Sequence, residues 1–497
     1  MVVYSRAVKA TDGELRSVGV SPHRLRPNVL RLRESVVIGL GTSAPGQSTA
    51  VSLAGMVGVA AYATGPAILI AMLPMLALAV CYQRLNQLEP NCGGPYVWVA
   101  RAIHPLVGAF AAWMMIVGFV LGSISDLLPL GPALLGVLGL APDEVAGNII
   151  SATMIGVALT SLAAAGIKLT ARFQTILAAV EYATLLTFSA LAFWAVFIAH
   201  RAGAVHPQLS WLSPCGVGDH GSLSAAMLVA IFLYAGWDAP MYLNEETRQR
   251  SRTPGRAVLW SVVILGIAYA WLFVTFQGVT SPARLAAHTD DALPFLASVL
   301  VGHGWARVMV VAVVLSVLGT TQATLVATAR VTYAMGTDRL LPPFFGTIHD
   351  RYRTPFVATL FWGWLTVVVV DLYVVWSSLA NAFNTVVDAL GIAFAIFWAL
   401  TALATTIRYR RVRSHSRSDD LLLGVLPLAA AGTLAWIVTQ QLSQLPASAR
   451  WTVIGLGLAG VAFTIVNATV FRGPFFTGAG LNRDANTPGS LTPKERG

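Results

Sequence analysis

The sequence predicts an all-α membrane protein of twelve spanning helices, arranged as a five-plus-five inverted repeat with two additional helices at its C-terminal end. Three observations predict it. Of 497 residues, 56% are hydrophobic and 11% are charged, whereas soluble proteins carry roughly 25% charged residues. The mean hydropathy of +0.69 is spread over many apolar runs of about 20 residues, each long enough to cross a hydrocarbon core of about 30 Å as a helix. Two of these runs are broken by similar Gly and Pro patterns, with Pro45 and Pro240 lying 195 residues apart.

In chain order the expected spans are Ser35 to Ala60, Tyr62 to Gln83, Pro105 to Ser125, Val145 to Ile167, Phe173 to Ile198, Leu223 to Leu243, Ala257 to Val279, Trp305 to Ala329, Phe356 to Val375, Leu379 to Ile407, Leu421 to Gln440 and Trp451 to Phe471. Placing the 32 Lys and Arg on this scheme puts 28 in the two tails and in alternate connections, leaving only Arg201, Arg284, Arg307 and Arg450 on the other side. Cytoplasmic loops hold the excess of Lys and Arg, so the alternation supports the count and places both termini in the cytoplasm, with the protein in the cell membrane.

The same alternation accounts for the net charge of +10. No basic stripe is interleaved with aromatics, so no nucleic-acid partner is expected. Cys81, Cys92 and Cys215 form no CxxC pair, which supports neither a disulfide framework nor a zinc cluster. Residues 1–34 contain no apolar core ahead of a small-residue cleavage site, so they read as a cytoplasmic tail rather than a removed signal peptide. Residues 35–200 form the first repeat, 201–415 the second, 416–471 the last two helices, and 472–497 a disordered tail rich in Gly, Pro, Asn and Thr.

The breaks carry the functional expectation. An interrupted helix at membrane depth leaves backbone groups unpaired, at a cost of several kcal/mol unless they line a cavity or meet a ligand. The first span reads GLGTSAPGQS over Gly39 to Ser48, and the sixth reads YAGWDAP over Tyr234 to Pro240. In both, a capping residue is followed by Ala and Pro, the pattern of a helix restarting. Adding the same offset to the second span lands within the seventh, which implies a repeat of five helices. An odd repeat enters the membrane inverted, with a binding site where the two broken helices meet.

Three further segments, LEPNCGGPYVWVAR (Leu88 to Arg101), YAGWDAPMYLNEET (Tyr234 to Thr247) and ARVTYAMGTDRLLPPFF (Ala329 to Phe345), together resemble the amino acid, polyamine and organocation permeases from about Ser35 to Arg413. The resemblance implies alternating access and transport of an amino acid or related amine. The chain departs from the family's short Gly, Ser or Thr, Gly turn in the first helix, carrying GTSAPG from Gly41 to Gly46 instead.

Helix ends dictate the expected chemistry. Restarted halves present positive amino ends and terminated halves negative carboxyl ends, which suits a zwitterion. The amides around Ser43, Ala44 and Gly46 are expected to take a substrate carboxylate, and the carbonyls near Tyr234 and Ala235 an ammonium. Thr42 and Ser43 add hydroxyls, while Tyr234 and Trp237 offer flat apolar faces or cation–π stacking. Asp238 is either an N-cap or a partner for an amine or a proton. Glu181 has no Lys or Arg within four positions and is the candidate proton carrier. Thr320, Thr321 and Thr324 are candidate sodium ligands with first-helix carbonyls, although Thr hydroxyls also bond back to their own helix. Glu245 and Glu246, followed by four arginines from Arg248 to Arg256, form either a gate network or a solvated face, and Asp388 reads as structural.

His288, Asp290 and Asp291 lack a fourth partner, so no metal is expected. No nucleophile, base and orienting group converge, so no enzyme and no cofactor are expected. The leading function is therefore a secondary transporter coupled to H+ or Na+, or working by exchange, with a membrane sensor or channel-like protein on the same scaffold as the alternative.

Overall fold

The computed structural model describes residues 25–140, 145–214, 220–289, 291–376, 379–411, 420–471 and 473–477. Most of both expected tails, Cys215, Asp290 and the side chain of Asp388 lie outside the described residues. Among the described residues the fold is all-helical, and its one extended pairing is an isolated bridge between Leu30 and Thr247.

The first expected span divides into α1 (Leu32–Thr42) and α2 (Pro45–Ala60). Next come α3 (Thr64–Leu88), α4 (Pro95–Ala102), α5 (Pro105–Leu127), α6 (Leu130–Leu138), α7 (Val145–Ala165) and α8 (Ile167–Phe193). The sixth expected span divides too: α9 (His220–Leu233) stops at the second break, and the chain resumes as a 3-10 helix over Ala239–Glu246. The remainder comprises α10 (Thr253–Phe276), α11 (Pro282–Ala286), α12 (Ala292–Val301), α13 (His303–Thr337), α14 (Phe356–Trp376), α15 (Leu379–Arg410), α16 (Leu426–Gln444) and α17 (Ala447–Val466). Ten helical stretches among the described residues are long and apolar enough to cross a membrane, and the two broken spans are additional to them.

Helix ends differ from the expected spans where charge misled the hydropathy reading. The third helical stretch continues past Ser125 to Leu138, taking Asp126 inside it. The eighth extends from His303 to Thr337 and encloses Arg330, which the charge count had placed in a connection. A charged side chain ends an apolar window but ends no helix when it is paired or faces a polar interior.

The interior is built on close pairs of helices. α3 packs against α10, α5 against α13 and α15, and α7 against α14. Small residues permit the approach: a Cβ at Gly65 would sit 2.5 Å from Val274 Cγ2, the device by which membrane helices gain van der Waals contact. Gly118 and Gly122 likewise seat α5 against Phe394 and Leu390 of α15, within this one chain. Large aromatics fill the centre, with Tyr82, Trp98, Trp237, Tyr242 and Phe397 fully buried, while Leu73, Met154 and Trp451 lie on the exposed periphery.

At the end of the bundle that carries the N-terminal segment, the chain before α1 is strapped to the close of the 3-10 helix. Val29 and Leu30 N–H groups donate to the Glu246 carbonyl at 2.8 and 3.1 Å, and Arg248 N–H returns a bond to Leu30 O at 2.8 Å. The Glu246 carboxylate reaches α13, accepting from Arg330 Nε at 2.9 Å and Nη2 at 3.3 Å, with neither side chain exposed. The expected network with the four nearby arginines is thereby corrected for Glu246. Its partner lies 84 residues away, where sequence proximity gives no hint.

Candidate functional site

Local geometry explains both interruptions. α1 ends at Thr42, Ser43 remains near the right-handed region (φ −82°, ψ −3°), and Ala44 turns to φ +43° before Pro45 opens α2. A left-handed Ala is uncommon, whereas Pro at the first helical position costs nothing because that N–H has no intrahelical partner. In the second break Gly236 adopts φ +95°. Its missing side chain is used: a Cβ there would run into the Thr42 carbonyl, with the Thr42 carbonyl carbon 2.7 Å away. The two breaks therefore touch, backbone against backbone.

The capping expectations need correction. Ala44, not Ser43, is the N-cap of α2, and the Ser43 hydroxyl donates back to Gly39 O at 3.1 Å. Asp238 precedes the 3-10 helix without capping it through its side chain. Its Oδ2 instead accepts from Tyr242 O–H at 2.6 Å, Trp398 Nε1 at 3.0 Å and Tyr82 O–H at 3.4 Å.

The helix ends are not bare. Gly46 N–H donates to Glu181 Oε1 at 2.8 Å, and Gln47 N–H to Ser316 Oγ at 3.3 Å. Glu181, buried on α8 and also hydrogen-bonded by Ser316, thus supplies from 135 residues away a carboxyl acceptor at the helix N-terminus, the end where such a group is favoured. On the carboxyl side, Thr320 Oγ1 donates to Gly41 O at 2.8 Å and Tyr269 O–H to Ser43 O at 3.0 Å. Ser48 Oγ adds a second bond to Ser43 O at 2.8 Å. The expectation that the Gly46 amide is free for a carboxylate is corrected by its bond to Glu181. The Tyr234 carbonyl is likewise engaged, accepting Trp237 N–H at 3.3 Å.

Beside the touching breaks lies a cavity of about 70 Å³. Of the expected site residues it gathers Thr42, Ser43, Ala44, Ala235, Asp238, Thr320 and Thr324, and it does not include Gly46, Tyr234, Trp237, Glu181 or Thr321. Tyr234 turns away to donate its O–H to Ile68 O at 3.0 Å. Trp237 lies between Tyr82 and Trp398, with ring centroids 5.0 and 6.0 Å away. Both rings back the site instead of facing it, because the turn aims Ala235, Gly236 and Asp238 at the hollow. Thr321 follows Thr320 on a helix, so it points to another side. It lines a separate pocket with Thr160 and Thr366 and donates to Val317 O, so it shares no site with Thr320 and Thr324.

The aromatic walls of the cavity are Phe119, Phe232, Tyr242 and Phe394. Asp126 is the residue that sequence reasoning missed, since the third span was ended one position before it. Phe119, Gly122 and Asp126 all line the cavity, and their i, i+3, i+7 spacing marks one helix face. That signal was available.

The Amino acid permease family matches residues 35–483. An uncharacterized transporter of Mycobacterium tuberculosis is 31% identical over 350 residues, 69% of this chain and 73% of that protein. A low-affinity putrescine importer of Escherichia coli is 22% identical over 395 residues, 78% of this chain and 83% of that protein. A branched-chain amino acid permease of Bacillus subtilis is 27% identical over 337 residues, 64% of this chain and 70% of that protein. By the family match over most of its length, together with its apolar helices, the chain belongs to the amino acid permease family of multi-pass membrane transporters.

Proposed function

We propose that this protein is a secondary active transporter that carries an amino acid or related amine across the cell membrane by alternating access, with the cavity beside the two breaks as its binding site. The single observation that carries this reading is the contact between Gly236 and Thr42 at the edge of a buried, partly polar cavity. Irregular backbone at membrane depth persists where it lines such a cavity. Relatives named for putrescine and for branched-chain amino acids agree with the substrate class without choosing within it.

The ten continuous stretches and the two broken spans make up twelve crossings in this reading, with both termini cytoplasmic. The packing of α3 on α10, α5 on α13 and α7 on α14 pairs second with seventh, third with eighth and fourth with ninth, which supports reading the two halves as an inverted five-helix repeat. Residues 35–200 and 201–415 are the two copies, and residues 416–471 stand outside them.

Reconstitution tests the reading. Purified protein in proteoliposomes is expected to show saturable, concentrative uptake from a panel of labelled amino acids and amines; binding with no flux would favour a sensor. Gly46→Trp is expected to abolish uptake while the protein still reaches the membrane. A Cβ there already meets Ser316 Cβ at 3.1 Å and Glu181 Oε1 at 3.3 Å, leaving no room for an indole. Normal uptake by that variant would remove the break from the mechanism.

Glu181 is the proton carrier in this scheme, placed where loading and unloading alters the grip on Gly46 and hence on α2. Uptake by the wild type is then expected to rise as the outside is acidified, and Glu181→Gln to flatten that profile with normal expression. A Gln variant with the wild-type profile would remove Glu181 from proton coupling.

A further inference from the structure

The side of the protein away from both termini is poor in cations. Of 32 Lys and Arg, the spans leave four there, Arg201, Arg284, Arg307 and Arg450. Two of these nevertheless meet: Arg201 and Arg284 line one hollow of about 120 Å³, walled by Ala195, Val279, Val299 and Leu300. No Asp or Glu lines it among the described residues.

Each guanidinium is held without being neutralised. Arg201 Nη1 donates to Leu300 O at 2.6 Å, and the Arg284 guanidinium lies 5.4 Å from the centre of the Phe295 ring. Neither makes an ion pair among the described residues. An arginine at a membrane edge turns its head to open water. That accounts for a lone exposed cation, not for two brought to a shared hollow, where like charges repel.

Thr280 is the third polar group. It lines the hollow at 3% exposure, and its hydroxyl has no hydrogen-bond partner among the described residues. Chain geometry explains this. α10 ends at Phe276, and the Phe276 carbonyl, four residues back, accepts Val279 N–H at 3.1 Å. Thr275, still on the helix, bonds back to Trp271 O at 2.9 Å. Buried polar groups are almost always paired, so an unpaired hydroxyl at a hollow marks a place for a polar guest.

We propose that this hollow binds a phosphate group, whose oxygens accept from Arg201, Arg284 and Thr280. A water molecule would satisfy the hydroxyl and leave both charges uncompensated. A carboxylate has two oxygens, which one guanidinium fork already fills. Phosphate has oxygens beyond the first fork, and its charge answers the cations. In the proposed topology the hollow lies at the outer ends of the helices, where phosphate comes from a lipid headgroup or from solution. The site shares no residue with the cavity beside the breaks.

The test uses the full chain in a maltoside detergent, which carries no phosphate. Inorganic phosphate is titrated by calorimetry against sodium chloride of equal ionic strength, and short-chain phosphatidylglycerol against an uncharged glycolipid. Arg201→Gln and Arg284→Gln are each expected to weaken binding about tenfold to a hundredfold, the value of one charge-assisted bond. Thr280→Val keeps the shape, loses only an unpaired hydroxyl, and is expected to weaken binding about twofold to tenfold. Arg307→Gln, on the same side but outside the hollow, should bind as the wild type does. A merely structural Thr280 would leave the affinity unmoved. Binding of phosphatidylglycerol alone, with these responses, assigns the phosphate to a headgroup; binding of inorganic phosphate assigns it to a free anion, and either supports the site. Binding of neither, or binding that survives the double replacement of Arg201 and Arg284 by Gln, would overturn it. None of these readouts involves flux, so the site and the transport reading fail separately.

Discussion

Gly236→Ala is expected to abolish uptake and to destabilise the protein markedly. A non-Gly residue at φ +95° occupies a sparsely populated region, at a cost of about 1–3 kcal/mol. Its Cβ would also meet the backbone of Thr42, and backbone cannot rotate out of the way as a long side chain can. The breaks must separate, and the cavity between α1, α2 and the 3-10 helix loses its shape. Gly203 is the control, since its φ is +90° but nothing lies within 4 Å of the Cβ it lacks. Gly203→Ala should show the dihedral strain alone, with transport preserved. Thermal unfolding in detergent, read beside proteoliposome uptake, separates the two. Equal behaviour of both variants would show that contact between the breaks is dispensable.

Glu246→Ala is expected to cost about 3–5 kcal/mol, because Arg330 would be left as a fully buried, unpaired cation. Arg330→Ala should cost a similar amount by stranding the carboxylate. The double replacement Glu246→Met with Arg330→Met removes both charges at similar volume and should recover most of the loss, since a buried pair repays little beyond its own desolvation. A double-mutant cycle on unfolding temperature measures this directly. Independent, additive losses would mean that the two residues do not depend on each other for their burial.

The class of the fold was legible because the lipid requirement is written into every span: composition, run length and the alternation of Lys and Arg are local or additive properties. Both breaks were legible for a similar reason, since Pro45 and Pro240 with their glycines act on the backbone where they stand. What escaped was whatever depends on contact between distant segments. Ser43 and Asp238 have the chemistry of N-caps, yet Ser43 bonds back to Gly39 and Asp238 is claimed by Tyr82, Tyr242 and Trp398. The capping carboxylate for α2 came from Glu181. Tyr234 and Trp237 belong to the second break by position and offer flat faces by type, but a turn with Gly236 at positive φ sends neighbouring side chains to different sides, which residue type does not reveal. Asp126 lies just past the end that its charge suggests for the third span, although its spacing from Phe119 and Gly122 places it on the same stripe.

The strap at Glu246 sets how the bundle can come apart at that end. One residue binds the approach to α1 through its carbonyl and α13 through its carboxylate, so neither neighbour can drift while the other stays. Partial separation would leave a carboxylate and a guanidinium facing each other across a dry gap, the least favourable arrangement open to them. Should this end open in the proposed alternating access, water must arrive as the joint parts, so the separation is expected to be all-or-none.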